Sequence, residues 1–415
     1  MPRLAPSTLG ANVPSIDFIL LACVCALVSL GLVMICSASM DYASERYGDA
    51  LFHTRRHLVY IVIAFIASVI AFKTPLSIWE KSGPYLLIAS FVILILILVP
   101  GFGRTANGAT RWLALGPFTL QGSEVAKLGV IVYLGNYLVR QHDLVRGHLL
   151  GFFIPFLIMS AFVALLILEP DFGAVVVLSS AALGMLFLGG ARVWEFCLSS
   201  IGLAIFGFFV ISSSDYRMAR LYAYLDPWAD QFGEGYQLTQ SLIAFGRGDW
   251  FGLGLGNSIQ KLFYLPEAHT DFVFAIMAEE LGFVGCLVAL FIYAVFISRI
   301  LVIARKAESM GKAFGAYVAY GVALVFSAQL IINVSVNIGL LPTKGLTLPF
   351  LSYGGSSLLV SCVLAALIMR IYRELMFEEA DASVKKYGVR GTRDVLTDLQ
   401  STATRSRRTA GGMNA

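Results

Sequence analysis

Glu267-Ala268-His269-Thr270-Asp271 places a carboxylate, an imidazole and a second carboxylate within five residues. Such a set supplies a general base together with groups that tune it. Asp271 directly precedes an apolar run, so capping a helix N-terminus is the competing structural reading. Other ionisable residues lie inside apolar runs: Glu124 and Lys127, then Glu279 and Glu280. At membrane depth each costs roughly 2.5–3.5 kcal/mol and needs a reason. Glu124 and Lys127 share a helix face at i, i+3 spacing. They fit a neutralising ion pair or the polar wall of a substrate cavity. Glu279 and Glu280 diverge by about 100° on a helix, so at least one needs a partner on another element or in water. Gly252-Leu-Gly-Leu-Gly256 has no βαβ unit around it. It predicts close backbone approach to the membrane or a ligand rather than a dinucleotide loop. Ser352-Tyr-Gly-Gly-Ser356-Ser357 is not a nucleophile elbow. Its paired glycines suit an anion nest beside a helix start, with Lys344 close in sequence, or a plain helix entry.

The elements that must carry these residues are membrane spans. Of 415 residues, 58% are hydrophobic and only 13% charged, with a mean hydropathy of +0.79. That excludes a soluble enzyme, a disordered chain and a secreted disulfide scaffold. The expected fold is an all-α polytopic membrane protein. Ten apolar segments are long enough to span, at about 16–38, 57–72, 84–100, 123–139, 150–168, 172–190, 194–212, 272–298, 315–338 and 356–373. With a cytoplasmic N-terminus, the short inner loops hold ten Lys and Arg against six outside, which sets the orientation and puts both termini in the cytoplasm. The stretch 1–15 does not read as a cleavable signal. The bundle is assigned to 16–375 and a polar tail, expected to be disordered, to 376–415.

Between the seventh and eighth segments lies a large extracytoplasmic loop, 213–270, whose Trp and Tyr content predicts a folded cap. Gly101–Gly122, with Arg111 and Trp112, and Leu341–Gly355 also read as structured outer segments. The six cysteines lack metal-ligand spacing and read as apolar packing residues. Nine Lys and Arg from Arg370 onward form a basic tail that suits an anionic membrane surface. Without interleaved aromatics it does not suggest nucleic-acid binding.

Asn333-Val-Ser-Val-Asn-Ile-Gly-Leu-Leu-Pro-Thr-Lys-Gly-Leu-Thr-Leu-Pro-Phe-Leu-Ser-Tyr-Gly-Gly-Ser-Ser357 resembles the signature of the SEDS proteins (shape, elongation, division and sporulation). Asn107-Gly-Ala-Thr-Arg-Trp-Leu113, Gly235-Tyr-Gln-Leu-Thr-Gln-Ser241 with Gly246-Arg-Gly248, and Leu265-Pro-Glu-Ala-His-Thr-Asp271 match in the same order. The resemblance covers about 15–375. Pro342-Thr-Lys-Gly-Leu-Thr-Leu-Pro349 is similar to the division branch of the family rather than the elongation branch. One departure is Gln121-Gly122-Ser123-Glu124, where the family usually has proline in second place; glycine is looser in a first helical turn.

The resemblance implies a peptidoglycan glycosyltransferase that polymerises lipid II into β-1,4 glycan during septal wall synthesis. A sugar hydroxyl attacks an α-linked anomeric carbon, undecaprenyl pyrophosphate leaves, and one displacement inverts the centre. Asp271 matches the family's essential aspartate and is the expected base. Desolvation, with Glu267 or Glu280 nearby, would raise its pKa toward neutrality. The growing pyrophosphate charge needs cations, for which Arg111, Arg217, Arg247, Lys261 and Lys344 are the outer-face candidates, or a divalent ion such as Mg2+ or Mn2+. Trp112, Glu124, Lys127, Glu267, His269, Glu280 and Ser356 complete the expected substrate-binding set. No organic cofactor is implied. Implied partners are lipid II, a class B penicillin-binding protein (the septal transpeptidase) and other divisome proteins. The implied location is the bacterial inner membrane, enriched at the septum. The competing functions are a lipid II flippase, which needs a polar path to both faces, and a non-catalytic division scaffold.

Overall fold

The computed structural model describes residues 16–410 apart from 107, 117, 214 and 344. Each of the ten apolar segments forms a helix. They are α1 (Phe18–Tyr47), α2 (Phe52–Lys73), α3 (Leu76–Leu98), α4 (Gly122–Arg140), α6 (Leu149–Leu168), α7 (Phe172–Leu188), α8 (Val193–Ser212), α11 (Val273–Ser309), α12 (Ala313–Asn337) and α13 (Gly355–Ala410). Seven of these are long and apolar enough to cross a membrane, and α7 and α8 are shorter apolar helices. The protein is an all-helical, multi-pass membrane protein. Three short helices fill the connections: α5 (His142–Gly147), α9 (Asp215–Leu225) and α10 (Tyr236–Gly248).

The segment Gly101–Gly122 is structured, as expected, but as a sheet. Strands β1 (Gly103–Ala106), β2 (Ala109–Leu115) and β3 (Phe118–Gln121) form an antiparallel meander in the order β1-β2-β3. Arg104 pairs with Trp112, and Trp112 pairs with Gln121. Successive β2 side chains alternate faces, so Arg111 and Trp112 point opposite ways. Ser356 Oγ accepts the Gln121 amide at 3.0 Å and donates to the Thr119 carbonyl at 3.1 Å. These bonds pin β3 to the start of α13.

Two compact units appear, and the membrane bundle is Phe18–Ile371. At its centre Phe296, Phe326 and Phe350 meet ring to ring at 5.1–5.6 Å. In the other unit, backbone from Tyr372 to Ala410 is helical. Composition had favoured disorder from about Glu378. Residues 378–410 contain no proline, and their Ala and Arg are compatible with helix.

The long helix α11 is broken at Gly282, where φ is +70° and ψ −173°. The loop that follows α10 covers the break with its own backbone. Leu253 and Gly254 amides donate to the Glu279 and Glu280 carbonyls at 2.9 and 3.0 Å, and Phe283 and Val284 amides donate to Asp249 and Trp250 at 2.9 and 3.1 Å. A side chain at Gly252 would collide with the Glu280 carbonyl. The glycine-rich run therefore approaches a broken helix, where the sequence suggested a membrane surface or ligand. The expected loose start of α4 is also filled: a Cβ at Gly122 would lie 2.6 Å from Ile97 Cδ1 and 2.8 Å from Leu94 Cδ2.

Candidate active site

Asp271 lies in the turn before α11, outside the spanning helix. It does not cap that helix: Phe272 is the N-cap residue and makes no side-chain capping bond. Two asparagines one turn apart on α12 hold the turn. Asn333 and Asn337 each donate Nδ2 to the Asp271 carbonyl at 3.1 Å, and Asn337 Oδ1 accepts the Ala275 amide at 3.1 Å. On the preceding side, the Glu267 carbonyl accepts the amides of Thr270, Asp271 and Phe272 at 3.1–3.2 Å. Glu267 has a φ of +57°, and its carboxylate takes the Thr270 hydroxyl at 2.6 Å. These bonds hold the Asp271 backbone on both sides and so set where its side chain starts.

Gly345 and Arg111 face that carboxyl. A Cβ at Gly345 would lie 3.0 Å from Asp271 Oδ2 and 3.7 Å from Arg111 Nη1. Arg111 is anchored from behind by the turn between α6 and α7. Its Nε donates to the Glu169 carbonyl at 3.3 Å and its Nη2 to the Pro170 carbonyl at 2.5 Å. In the same turn Asp171 caps α7, accepting the Ala174 amide at 3.2 Å, the Ser123 hydroxyl at 2.8 Å and the Gln121 side-chain amide at 3.3 Å. Burial pushes the Asp271 pKa up to about 7, Glu267 and Asp171 add to the rise, and Arg111 opposes it. The expected contribution of Glu280 is absent, because Glu280 is paired elsewhere.

Several expected substrate contacts are engaged within the fold. Glu124 and Lys127, each 3% exposed, form an ion pair at 2.7 Å. Lys261 Nζ meets Glu280 Oε1 at 3.0 Å and the Gly256 carbonyl at 2.8 Å, and Ser37 donates to both Glu280 oxygens at 2.6 and 2.8 Å. Arg247 Nε meets Glu279 Oε1 at 3.2 Å, while Ser258 Oγ and the Gln260 amide donate to Glu279 Oε2 at 2.5 and 3.2 Å. Both glutamates thus find partners on other elements, and Lys261 and Arg247 neutralise them. Ser356 pins the sheet. His269 packs its ring 5.0 Å from His53 and 5.6 Å from Tyr353. Its burial lowers its pKa, against the pull of Glu267. Lys344 and the side chain of Arg217 lie outside the described residues.

The structure therefore brings together Asp271, Arg111, Glu267 and Gly345, and adds Glu169, Asp171, Asn333 and Asn337. In the sequence Glu169 and Asp171 stand in a short link, Glu169-Pro170-Asp171, between two apolar runs, which reads as a tight turn. The signal that could have found them is two carboxylates flanking a proline at the end of an apolar run. Among the described residues, no three Asp, Glu, His or Cys side chains converge as metal ligands. Mg2+ or Mn2+ held through one or two carboxylates and substrate phosphates needs no such cluster. The arrangement is a carboxyl poised near neutrality with a guanidinium near it. It suits deprotonation of a hydroxyl next to a departing anion.

The cell cycle protein family that takes in FtsW, RodA and SpoVE matches residues 17–376. A "Probable peptidoglycan glycosyltransferase FtsW" from Pseudomonas fluorescens (strain SBW25) is 48% identical over 391 residues, covering 92% of this chain and 95% of the relative. One of the same description from Thioalkalivibrio sulfidiphilus (strain HL-EbGR7) is 52% identical over 359 residues, covering 86% and 90%. Among solved structures, a chain from work on "polymerization and crosslinking by a peptidoglycan synthase complex" superposes with a TM-score of 0.71 at 26% identity, covering 87% of this chain and 98% of that one. The rod shape determining protein RodA of Thermus thermophilus does so with a TM-score of 0.65 at 25% identity, covering 88% and 98%. From the match along the whole helical bundle, this chain belongs to the FtsW/RodA/SpoVE family of cell cycle proteins, the SEDS family.

Proposed function

We propose that this protein is a peptidoglycan glycosyltransferase that polymerises lipid II, with Asp271 as general base. The observation that carries the reading is Asp271, its backbone carbonyl held by α12 and its carboxyl faced by Arg111 and poised near pH 7. A sugar hydroxyl is a weak nucleophile at neutral pH, and a carboxylate of pKa about 7 takes its proton far better than one near 4. The proton passes from the attacking hydroxyl to an Asp271 oxygen as the new glycosidic bond forms. The bond to undecaprenyl pyrophosphate breaks on the opposite face, inverting the anomeric centre. Arg111 supplies positive charge beside the reacting groups, and its anchoring to the turn carbonyls removes the need to reorganise during the reaction. Relatives named as peptidoglycan glycosyltransferases and a structural neighbour from a synthase complex support the activity. They also support work alongside a class B penicillin-binding protein among other divisome proteins. The same reading locates the chain in the bacterial inner membrane at the septum, with the Asp271 end facing outward.

The test is lipid II polymerisation by the purified protein with its cognate transpeptidase, comparing wild type with Asp271→Ala after checking folding and complex formation. Glycan chains from wild type are expected, with a loss of about 10²-fold or more in the variant. Equal chains from both would remove Asp271 as the base. No chains from a well-folded wild-type complex would overturn the enzyme reading and favour transport of lipid II.

A further inference from the structure

Glu169 is a buried acid that the proposed reaction leaves unused. It is 0% exposed, and neither carboxyl oxygen has a hydrogen-bond partner. Its neighbour Asp171 is in the opposite position, with three donors on its carboxylate. Two carboxyls two residues apart in one turn thus have different surroundings. Glu169 is built to be neutral, because a buried carboxylate without donors bears its full desolvation cost.

The turn that buries Glu169 is also the anchor of Arg111. The Glu169 and Pro170 carbonyls hold Nε and Nη2, and Nη1 faces Gly345 and the base. The charged groups that act on the Glu169 carboxyl are Asp171, on its own turn at the cap of α7, and Arg111, from β2. The same two act on Asp271. Arg111 thus links the two carboxyls: the backbone of the residue that carries one holds its Nε, and its Nη1 lies near Gly345 beside the other.

We propose that Glu169 is a positioning residue: as a neutral acid it leaves the Arg111 guanidinium committed to Asp271, and on ionisation it draws that charge to itself and disarms the site. This rests on the glycosyltransferase reading above. Burial, reinforced by Asp171 and opposed by Arg111, pushes the Glu169 pKa up to about 8. The acid form is then dominant at neutral pH. The activity it protects is lost on the alkaline side, as the proton leaves. Asp271 governs the acidic side instead, so the two limbs are separable.

The test uses full-length protein with its transpeptidase and measures polymerisation rate from about pH 6 to about pH 9.5 in wild type, Glu169→Gln and Glu169→Met. Both replacements are uncharged at every pH, and the second keeps the proposal testable if the first does not fold. The ratio of the rate near pH 9 to that near pH 7 is expected to rise up to about tenfold in either variant, with the acidic limb unmoved. A readout independent of activity is infrared difference spectroscopy, wild type minus Glu169→Gln. A protonated carboxylic C=O stretch is expected at neutral pH and should vanish near pH 9. Alkaline limbs that superimpose on wild type, or a difference spectrum without that band at neutral pH, would overturn the proposal. If wild type polymerises nothing at any pH, the glycosyltransferase reading fails, and the infrared band still reports the state of Glu169.

Discussion

The chemistry at Asp271 is set by what surrounds one carboxyl. Its pKa of about 7 comes first from burial, then from Glu267, with Arg111 pulling the other way. With the carboxylate as the proposed base, the polymerisation rate should fall as pH drops below about 7; a kcat/KM profile flat down to about pH 5 would refute a base of this kind. Arg111→Ala removes the opposing charge, so the acidic limb should move to higher pH and the rate should fall at least about tenfold. Arg111→Lys recovers little, because a single ammonium cannot serve two carbonyls and face the base as a planar fork does. Stability follows with its own sign. The Asp271 pKa is raised above its unfolded value, so its contribution is full below about pH 4 and is lost as pH rises through about 7. Asp271→Asn should therefore raise the melting temperature above neutrality and have least effect in acid, measured by thermal unfolding in detergent. The motif around Asp271 was legible in the sequence. Its partner at Glu169-Pro170-Asp171 was not, because the two turns are about 100 residues apart and only the fold joins them.

At the scale of elements, the stiff link behind the site is the junction of α11 with the loop after α10. Gly282 breaks the helix, and backbone from Asp249 to Gly254 replaces the missing partners. Glu279 and Glu280, both 0% exposed, are neutralised by Arg247 in the last turn of α10 and by Lys261 in the loop after it. Breaking one such buried pair strands a charge. Lys261→Met should cost about 3–5 kcal/mol, and adding Glu280→Gln should recover much of it. Denaturant unfolding of the two single variants and the double variant checks this; additive losses would show that the pair is not coupled. The sequence required a partner for at least one of these glutamates. Which cation takes which glutamate depends on how the loop folds back.

For the molecule as a whole, the Asp271 end should face outward if the charge bias of the short loops holds. In a cysteine-free background, Thr105→Cys on β1 should react with a membrane-impermeant maleimide in intact cells. Gly311→Cys, between α11 and α12, should react only after the membrane is opened. The reverse pattern would invert the topology. The same orientation puts the sheet, the α6–α7 turn and the Asp271 turn on one side, where a lipid-linked sugar is presented.

The sequence by itself determined the ten apolar helices and the Asp271 motif. Hydrophobic length and local residue types are enough for these, since a bilayer accepts only apolar stretches that satisfy their own backbone. The span ends moved: α1 begins at Phe18 and runs to Tyr47, well past the expected residue 38, because polar residues near a membrane surface continue a helix at little cost. Tertiary structure alone decided which charges are consumed and which are left to act. Lys261, Arg247 and Lys127 look as eligible as Arg111 in sequence, yet each meets a buried glutamate. Burial makes an unpaired charge costly, so the fold neutralises these three inside itself. Arg111 escapes that fate because backbone carbonyls, which carry no full charge, hold it beside Asp271.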